Sequence, residues 1–462
     1  MVKPFWILGI DVGVQNRVGA EEYGMYYPIF GFSILFNIVL DFGITNFNNR
    51  NIAQHTQMLG RYFSGIFNVK LFLGIVYMLI TLVFGYFVGY EGKAFFLLFL
   101  LGINQFLSSM ILYLRSNISG LHLFKTDGLL SILDRFLMII ICSFLLWSDY
   151  FGGEFKIEWF VYAQFWAYLL TAIAAFIIVY QKANFFKPKI DFILFKIILK
   201  ESMPFALLVL LMAFYYRLDS VMVERMLPNG KVEAGIYAQA YRLVEGFNMF
   251  GYLFSVLLLP IFSRMIQKKE SVKMLVHTSF NLIFIPSVAI AFICWRYAHQ
   301  FMDLLYVEYI DSAAKVFPIL MFSFIAIATT YVYGTLLTAN GSLKQLNIIS
   351  LIGLLVNFGL NLWWIPIDGA VGAAKATLIT QYLVVISQII VSKQIFKMPY
   401  SRTYILRLSI MLILAFGLGY YTSFYVNNYI LHSIFIGGIF VVLGIALKLI
   451  HPKQVLLLIK KQ

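Results

Sequence analysis

Long apolar runs separated by short polar interruptions repeat from one end of this chain to the other. They fall at residues 23–39, 69–90, 94–114, 128–147, 160–180, 204–226, 236–262, 278–295, 316–337, 348–365, 370–391, 408–426 and 433–449. At about 1.5 Å per residue, runs of this length cross a hydrocarbon core of about 30 Å as helices. Backbone groups in lipid must be satisfied within a helix or around a closed barrel. The runs lack the period-two alternation of barrel strands. The pattern therefore predicts an all-α polytopic membrane protein with 13 full transmembrane helices.

The beginning of the chain breaks this rhythm. Residues 1–10 are apolar apart from Lys3, and Asp11 then interrupts them. Ten helical residues span about 15 Å, half a bilayer. The sequence thus predicts a truncated first helix, a loop over residues 11–22, and a natural helix that begins upstream of Met1.

Charge gives the runs a direction. One alternate set of connections carries Arg50, Arg61, Lys70, Arg115, Lys125, five lysines between residues 182 and 200, Arg264, Lys268, Lys269, Lys273, Lys344, Lys393, Lys397, Arg402 and Arg407, and the C-terminal lysines. The other set is mostly acidic, with Asp11, Glu21, Glu22, Glu91, Asp149, Glu154, Glu158, Glu233, Asp303, Glu308, Asp311 and Asp368. Basic loops stay in the cytoplasm. This predicts a multi-pass membrane protein with a cytoplasmic C-terminus, and the family resemblance described below implies the bacterial cytoplasmic (inner) membrane. The overall charge of +14 is explained by those loops. No basic segment is long enough to read nucleic acid, which is excluded as a partner.

The longest cytoplasmic connection, residues 181–203, mixes Ile190, Phe192, Ile193 and Phe195 with Lys189, Lys196 and Lys200. It reads as an amphipathic linker on the inner leaflet. It separates an N-terminal lobe (1–180) from a C-terminal lobe (204–397), followed by two trailing transmembrane helices and a basic tail (398–462). An internal echo supports two similar halves. Glu22-Tyr23-Gly24-Met25-Tyr26 precedes the run at 23–39, and Glu233-Ala234-Gly235-Ile236-Tyr237 precedes the run at 236–262. Paired six-helix halves are a common transporter design, with the substrate path between them.

Composition narrows the chemistry. The chain is 61% hydrophobic and only 12% charged, which a soluble surface does not tolerate. Cys142 and Cys294 both lie in apolar runs and read as buried thiols. The histidines show no metal-ligand spacing, and no phosphate-cradling loop or enzyme signature is evident, so neither a cofactor nor a catalytic residue is expected. Gly152-Gly153-Glu154-Phe155 spells a cyclase signature in a loop with no domain around it, and reads as coincidence.

Ionisable groups inside spans are costly and usually line a cavity. Arg217 near the middle of its run is the first candidate for binding an anionic group, with Arg135, Arg242 and Arg50 as further cations. Asp219, Glu245 and Asp134 are the candidate ion-coupling carboxylates. Arg242 and Glu245 are three apart on one helix face and can bridge each other. Arg217 and Asp219 point to different faces, and adjacent Asp134 and Arg135 are expected to diverge. Lys375 is read as snorkelling to the interface, and Asn46, Asn48, Asn49 and Asn51 form a polar inner mouth with Arg50. Tyr215, Tyr216, Tyr237, Tyr241, Trp363 and Trp364 could stack on sugar rings, but interfacial anchoring is the stronger reading of such plentiful aromatics.

The run Val18-Gly19-Ala20-Glu21-Glu22-Tyr23-Gly24-Met25-Tyr26, then Asp41-Phe42-Gly43-Ile44 and Arg50-Asn51-Ile52-Ala53, resembles the start of bacterial polysaccharide-biosynthesis flippases of the multidrug/oligosaccharidyl-lipid/polysaccharide exporter superfamily. Tyr216-Arg217-Leu218-Asp219-Ser220-Val221-Met222, with Glu233–Tyr237 and Ala240-Tyr241-Arg242-Leu243, is similar to the opening of that family's second lobe. The resemblance implies two six-helix lobes plus two trailing helices. It also implies a lipid-linked oligosaccharide carried on undecaprenyl pyrophosphate from the inner to the outer leaflet, for surface polysaccharide such as O-antigen. Membrane lipids, H+ or Na+, and other polysaccharide-assembly proteins are the implied partners. Two alternatives stay open: an ion-coupled multidrug or small-molecule exporter of the same superfamily, and a membrane-embedded polysaccharide polymerase or ligase.

Overall fold

The computed structural model describes residues 5–148, 155–183, 192–398, 402–426 and 428–450. Its regular elements, among the described residues, are all helical. A π-helical turn, Trp6–Asp11, leads into α1 (Val12–Leu35), followed by α2 (Ile38–Asp41), α3 (Ile44–Gln54), α4 (Leu59–Phe87), α5 (Gly92–Gly120), α6 (Phe124–Trp147), α7 (Ile157–Lys182) and α8 (Phe192–Met226). Then come α9 (Gly230–Gln267), α10 (Lys273–Arg296), α11 (Ala298–Leu305), α12 (Ile310–Ala339), α13 (Leu343–Phe396), α14 (Arg402–Thr422) and α15 (Tyr429–Ala446). Among the described residues, eleven of the helices are long and apolar enough to cross a membrane. Rows of exposed Leu, Ile and Phe along them, such as Ile75, Leu79 and Phe87 on α4, give these spans the surface that lipid requires.

The difference from 13 predicted spans has two physical sources. The 54-residue α13 is broken at Gly369, where φ 58° and ψ −132° suit glycine and not L side chains. It therefore covers two predicted runs, as halves 343–368 and 370–396 of about 40 Å each. The run at 23–39 is distributed over α1 and α2, which a turn at Phe36–Asn37 interrupts.

Asp11 does not end the first helix, contrary to the sequence reading. The helix runs on through residues 11–18 and breaks at Gly19, at φ 83° and ψ 166°. The expected loop over residues 11–22 is thus largely helical. Asp11 can stay in it because it is buried and accepts a hydrogen bond from the Tyr23 hydroxyl at 2.9 Å. Of the expected amphipathic linker, residues 184–191 lie outside the described residues. Helix α8 begins at Phe192 and continues without interruption into the next span. The Gly152-Gly153-Glu154 motif and the tail at 451–462 also lie outside them.

The chain forms two compact units, Met1–Ala238 and Gln239–Gln462. In the first, α1 packs along α8 and α5, and α7 packs on α5 and α6. Ile52, Phe63, Ile66, Tyr113, Leu114 and Val179 lie in its apolar core. In the second, α12 lies along α13 and α10, while α14 and α15 pair with each other. The α14–α15 pair is fastened to α10 at both ends. His432 bonds through Nδ1 to the Tyr297 hydroxyl at 2.5 Å and through Nε2 to Thr422 Oγ1 at 2.8 Å. At the opposite end Asn281 Nδ2 donates to Leu449 O at 2.7 Å and accepts from the Tyr404 hydroxyl. Between them Phe292 packs on Phe416, and Gly419 leaves the space for its ring.

Candidate functional site

Arg217, Asp219, Glu224 and Arg225 of the first unit lie on α8, which packs along α1. These helices approach closely where Gly31 faces Ser220 and the Arg217 carbonyl. A carboxylate buried in a span needs hydrogen bonds to offset its desolvation. Asp219 on α8 is buried and accepts from the Tyr237 hydroxyl at 3.1 Å, as Asp11 accepts from Tyr23. Each half of the internal echo therefore supplies a tyrosine to a carboxylate on the preceding helix.

Arg217 and Arg135, two of the predicted cations, both lie in this unit against aromatic rings. The Arg135 guanidinium stands 5.8 Å from the Trp6 ring and 5.9 Å from Tyr168. Trp6 stacks on Phe160 at 5.6 Å, Phe160 meets Tyr26 edge-on at 5.4 Å, and Tyr26 stacks on Phe30 at 5.8 Å. The Arg217 guanidinium lies 5.9 Å from Phe30. An unbroken row of rings thus runs from one arginine to the other. Gln164 fixes it in place by donating to the Tyr26 hydroxyl at 3.0 Å. Guanidinium over aromatic rings is electrostatically favourable and leaves the planar fork able to take further acceptors.

Asp134 and Arg135 do not diverge as expected. Arg135 Nε comes within 3.8 Å of Asp134 Oδ2, and the Arg135 amide donates to Asp134 Oδ1 at 2.8 Å. Flexible side chains of adjacent residues can fold back on each other, and both of these are partly exposed. Arg50 lies on α3, with its side chain outside the described residues.

Two charged clusters escaped the sequence reading. Lys70, assigned there to a loop, is buried inside α4 at 1% exposure. Its ammonium meets Asp41 Oδ1 at 2.6 Å, Leu40 O at 2.9 Å and Ser109 Oγ at 2.9 Å. Leu40 O is a freed helix-end carbonyl, because Phe42 takes a left-handed conformation and ends α2. Asp41 meanwhile accepts from the amide and hydroxyl of Thr45 at the start of α3. One lysine therefore ties together the break between two helices. The signal for it was a lone cation near the start of a long apolar run, opposite the lone carboxylate ending another.

The second cluster joins α8 to the α4–α5 turn. The Arg225 guanidinium lies 3.9 Å from the Tyr90 ring centre and donates to Gly89 O at 3.1 Å. The Tyr90 hydroxyl donates to Glu224 Oε2 at 3.2 Å. Burial, with the nearby Glu224 carboxylate, holds that hydroxyl well above the usual phenol range, so it remains a donor. Nothing in the spacing of residues 90 and 224 announces this pairing.

In the second unit Arg242 and Glu245 bridge each other at 2.7 Å, as their spacing allows. Lys375 pairs with Asp368 at 2.6 Å instead of merely reaching for the interface. Along α13 lie buried neutral polar groups, including Asn357, Asn361, Thr380, Gln381, Gln388 and Ser392. Tyr215 and Tyr216 lie 4.7 Å apart, and Trp363 stacks on Trp364 at 6.0 Å. Among the described residues no group of His, Cys, Asp and Glu is placed to hold a metal ion.

Known proteins place these features in context. The family model for "polysaccharide biosynthesis protein" matches residues 12–266. No curated protein matches the chain. Among solved structures, the lipid II flippase MurJ in an inward closed conformation aligns at TM-score 0.73 and 15% identity, over 96% of each chain. An inward-facing multidrug resistance MATE family transporter of the MOP superfamily aligns at TM-score 0.67 and 14% identity, over 85% of this chain and 94% of its own. A MOP superfamily transporter from Pyrococcus furiosus aligns at TM-score 0.58 and 15% identity, over 86% of this chain and 94% of its own. The fold is that of these membrane transporters.

Proposed function

The chain belongs to the polysaccharide biosynthesis protein family, and we propose that it moves an undecaprenyl-pyrophosphate-linked oligosaccharide from the inner to the outer leaflet of the bacterial inner membrane. The observation that carries this reading is the ring row between Arg135 and Arg217. A pyrophosphate-linked glycan needs cations for its anionic head, and this unit holds two guanidiniums at the ends of a packed aromatic row that fixes their positions. The hydrocarbon tail remains in lipid, where it costs nothing to keep. Arg50 and Arg242 serve as further cations along the path, and Asp219, Glu245 and Asp134 as carriers of a coupling H+ or Na+. The basic loops face the cytoplasm, in keeping with their lysines and arginines.

A cationic drug would favour a site ruled by carboxylates, whereas here guanidiniums bracket the aromatic row. That contrast favours the anionic lipid over the drug. Replacing Arg217 by Ala abolishes surface polysaccharide while the protein remains in the membrane at normal level. Arg217→Lys retains part of the output, because it keeps the charge and loses the fork. Undiminished polysaccharide from Arg217→Ala, measured by immunoblot of the extracted glycan, refutes the assignment.

A further inference from the structure

Arg217 offers a contact to the anionic head of the proposed cargo and leaves its sugars without one. Helix spacing leads from Arg217 to a polar group that suits them. Phe30, which the Arg217 guanidinium approaches at 5.9 Å, is followed on the same helix face by Ile34, Asn37 and Asp41, at intervals of four, three and four residues. Asn37 lies in the turn between α1 and α2 but keeps helical torsions, φ −56° and ψ −24°, so the face carries across. Seven residues place Asn37 about 10 Å along the axis from Phe30. A pyrophosphate and the sugar attached to it can bridge that distance.

Asn37 Nδ2 donates to Gln105 Oε1 on α5 at 2.9 Å. Gln105 Nε2 has no hydrogen-bond partner among the described residues and is not sealed from a ligand. Asn37 Oδ1 is buried and has no partner among them either. Ser108, three residues beyond Gln105 and on the same face of α5, makes no hydrogen bond among the described residues. Phe96 and Phe99, both exposed, lie on the far side of α5, so Gln105 and Ser108 face away from the side suited to lipid. Asp41 keeps 31% of its side chain exposed, whereas Lys70, its charge partner, is closed off at 1%.

We propose that Asn37, Gln105, Ser108 and Asp41 form a subsite for a neutral sugar, the one joined to the pyrophosphate of the cargo. The inference rests on the flippase reading above and names the part of the glycan that this unit recognises.

The chemistry of the four side chains carries the assignment. Each amide presents a donor and an acceptor in one plane, which matches neighbouring ring hydroxyls that both donate and accept. The Asp41 carboxylate only accepts, so it suits a hydroxyl and repels a sugar acid. Lys70 is too deeply closed to offset that repulsion at a ligand. A tie that served only to join α2 and α5 would leave neither an open donor nor an orphaned acceptor. A site built to bond hydroxyls also discriminates strongly, because a wrong ligand leaves its polar groups unpaired.

The test uses the full-length chain in cells that make one of two lipid-linked repeats. One begins with a neutral N-acetylhexosamine and the other, otherwise identical, with a uronic acid. The measurement is the ratio of neutral-first to acid-first glycan extracted from the cell surface. Gln105→Leu and Ser108→Leu are each expected to lower that ratio about tenfold, the first by removing a hydrogen bond to the sugar and the second by filling its place. A purely structural role lowers both glycans together and leaves the ratio where it was. An unchanged ratio in both variants overturns the subsite. If Gln105→Leu does not accumulate, Ser108→Leu decides alone, since it breaks no side-chain hydrogen bond of the described structure. Arg217→Ala separates the two readings. Export of both repeats by that variant refutes the flippase reading, whereas loss of both, with the ratio unchanged in the leucine variants, refutes the sugar subsite alone.

Discussion

Both units bury amides and hydroxyls, such as Asn104 and Gln164 in the first and Asn357 and Gln388 in the second, and they differ in the ions buried beside them. The first buries ions: Asp11, Asp219, Glu224 and the Asp41–Lys70 pair. The second, apart from Arg242 and its partner, buries amides and hydroxyls along α13. Both polarities are expensive in lipid, yet they behave differently under change. A charge answers to protonation and to a charged ligand, and removing its partner leaves a large penalty. A neutral seam answers to neither and loses little from one deletion. On the flippase reading proposed above, a charged cargo would act on the first unit's ions and leave the neutral groups of the second unit unaffected.

The largest effect that tests this contrast is expected at Lys70. Lys70→Met strands Asp41 beside a helix-end carbonyl and removes the tie across the α2–α3 break. We expect a loss of about 2–4 kcal/mol, less than for a fully buried pair because Asp41 keeps 31% of its side chain exposed. Thermal unfolding in detergent reads this, and Lys70→Met with Asp41→Asn recovers most of it. No recovery in the double variant would show that the lysine acts by packing and not by charge. Smaller, about 1 kcal/mol, is the loss expected from Tyr237→Phe, which takes one neutral donor from Asp219. Tyr23→Phe, though Tyr23 aligns with Ala234 in the echo and not with Tyr237, is predicted to match it within a few tenths of a kcal/mol, since Asp11 also accepts from a tyrosine hydroxyl. A large disparity in melting temperature between the two variants breaks the equivalence of the two tyrosine–carboxylate pairs. Smallest is Gln388→Leu in the second unit. Gln388 Oε1 is buried with no hydrogen-bond partner among the described residues. Its replacement is expected to change stability by less than about 1 kcal/mol in either direction. A loss as large as that at Lys70 would end the distinction between the two interiors.

How far the sequence foretold this depends on the range of the interaction concerned. Hydrophobic runs are local, and they located nearly every span. The Arg242–Glu245 bridge is local too, and its three-residue spacing predicted it. Lys70 was misplaced because a cation near the start of an apolar run looks like a loop residue until the partner, 29 positions away, is known. Asp11 was misread for the same reason, its tyrosine being 12 positions on. Glu224 and Tyr90 are 134 positions apart, and only packing brings them together. The echo of Gly24 and Gly235 was visible, but nothing in it said that the two motifs meet, a Cβ on Gly24 standing 2.6 Å from the Gly235 amide nitrogen. Arg135 and Arg217 stand out as cations from their cost in lipid, whereas the row of rings joining them depends on two helices, α1 and α7, and the turn before α1.

The break at Gly369 bears on motion. Gly372 lets the two halves of α13 begin almost in contact, since a Cβ there would stand 2.3 Å from Trp364 O. A connection that turns on one non-helical residue has no slack, so neither half can slide past the other by even a single helical turn of about 5.4 Å. The pair is mechanically a hairpin spring, free to splay at its open end and fixed at its closed one. Lengthening that corner by two or three flexible residues would uncouple its arms without altering a single side chain that lines them.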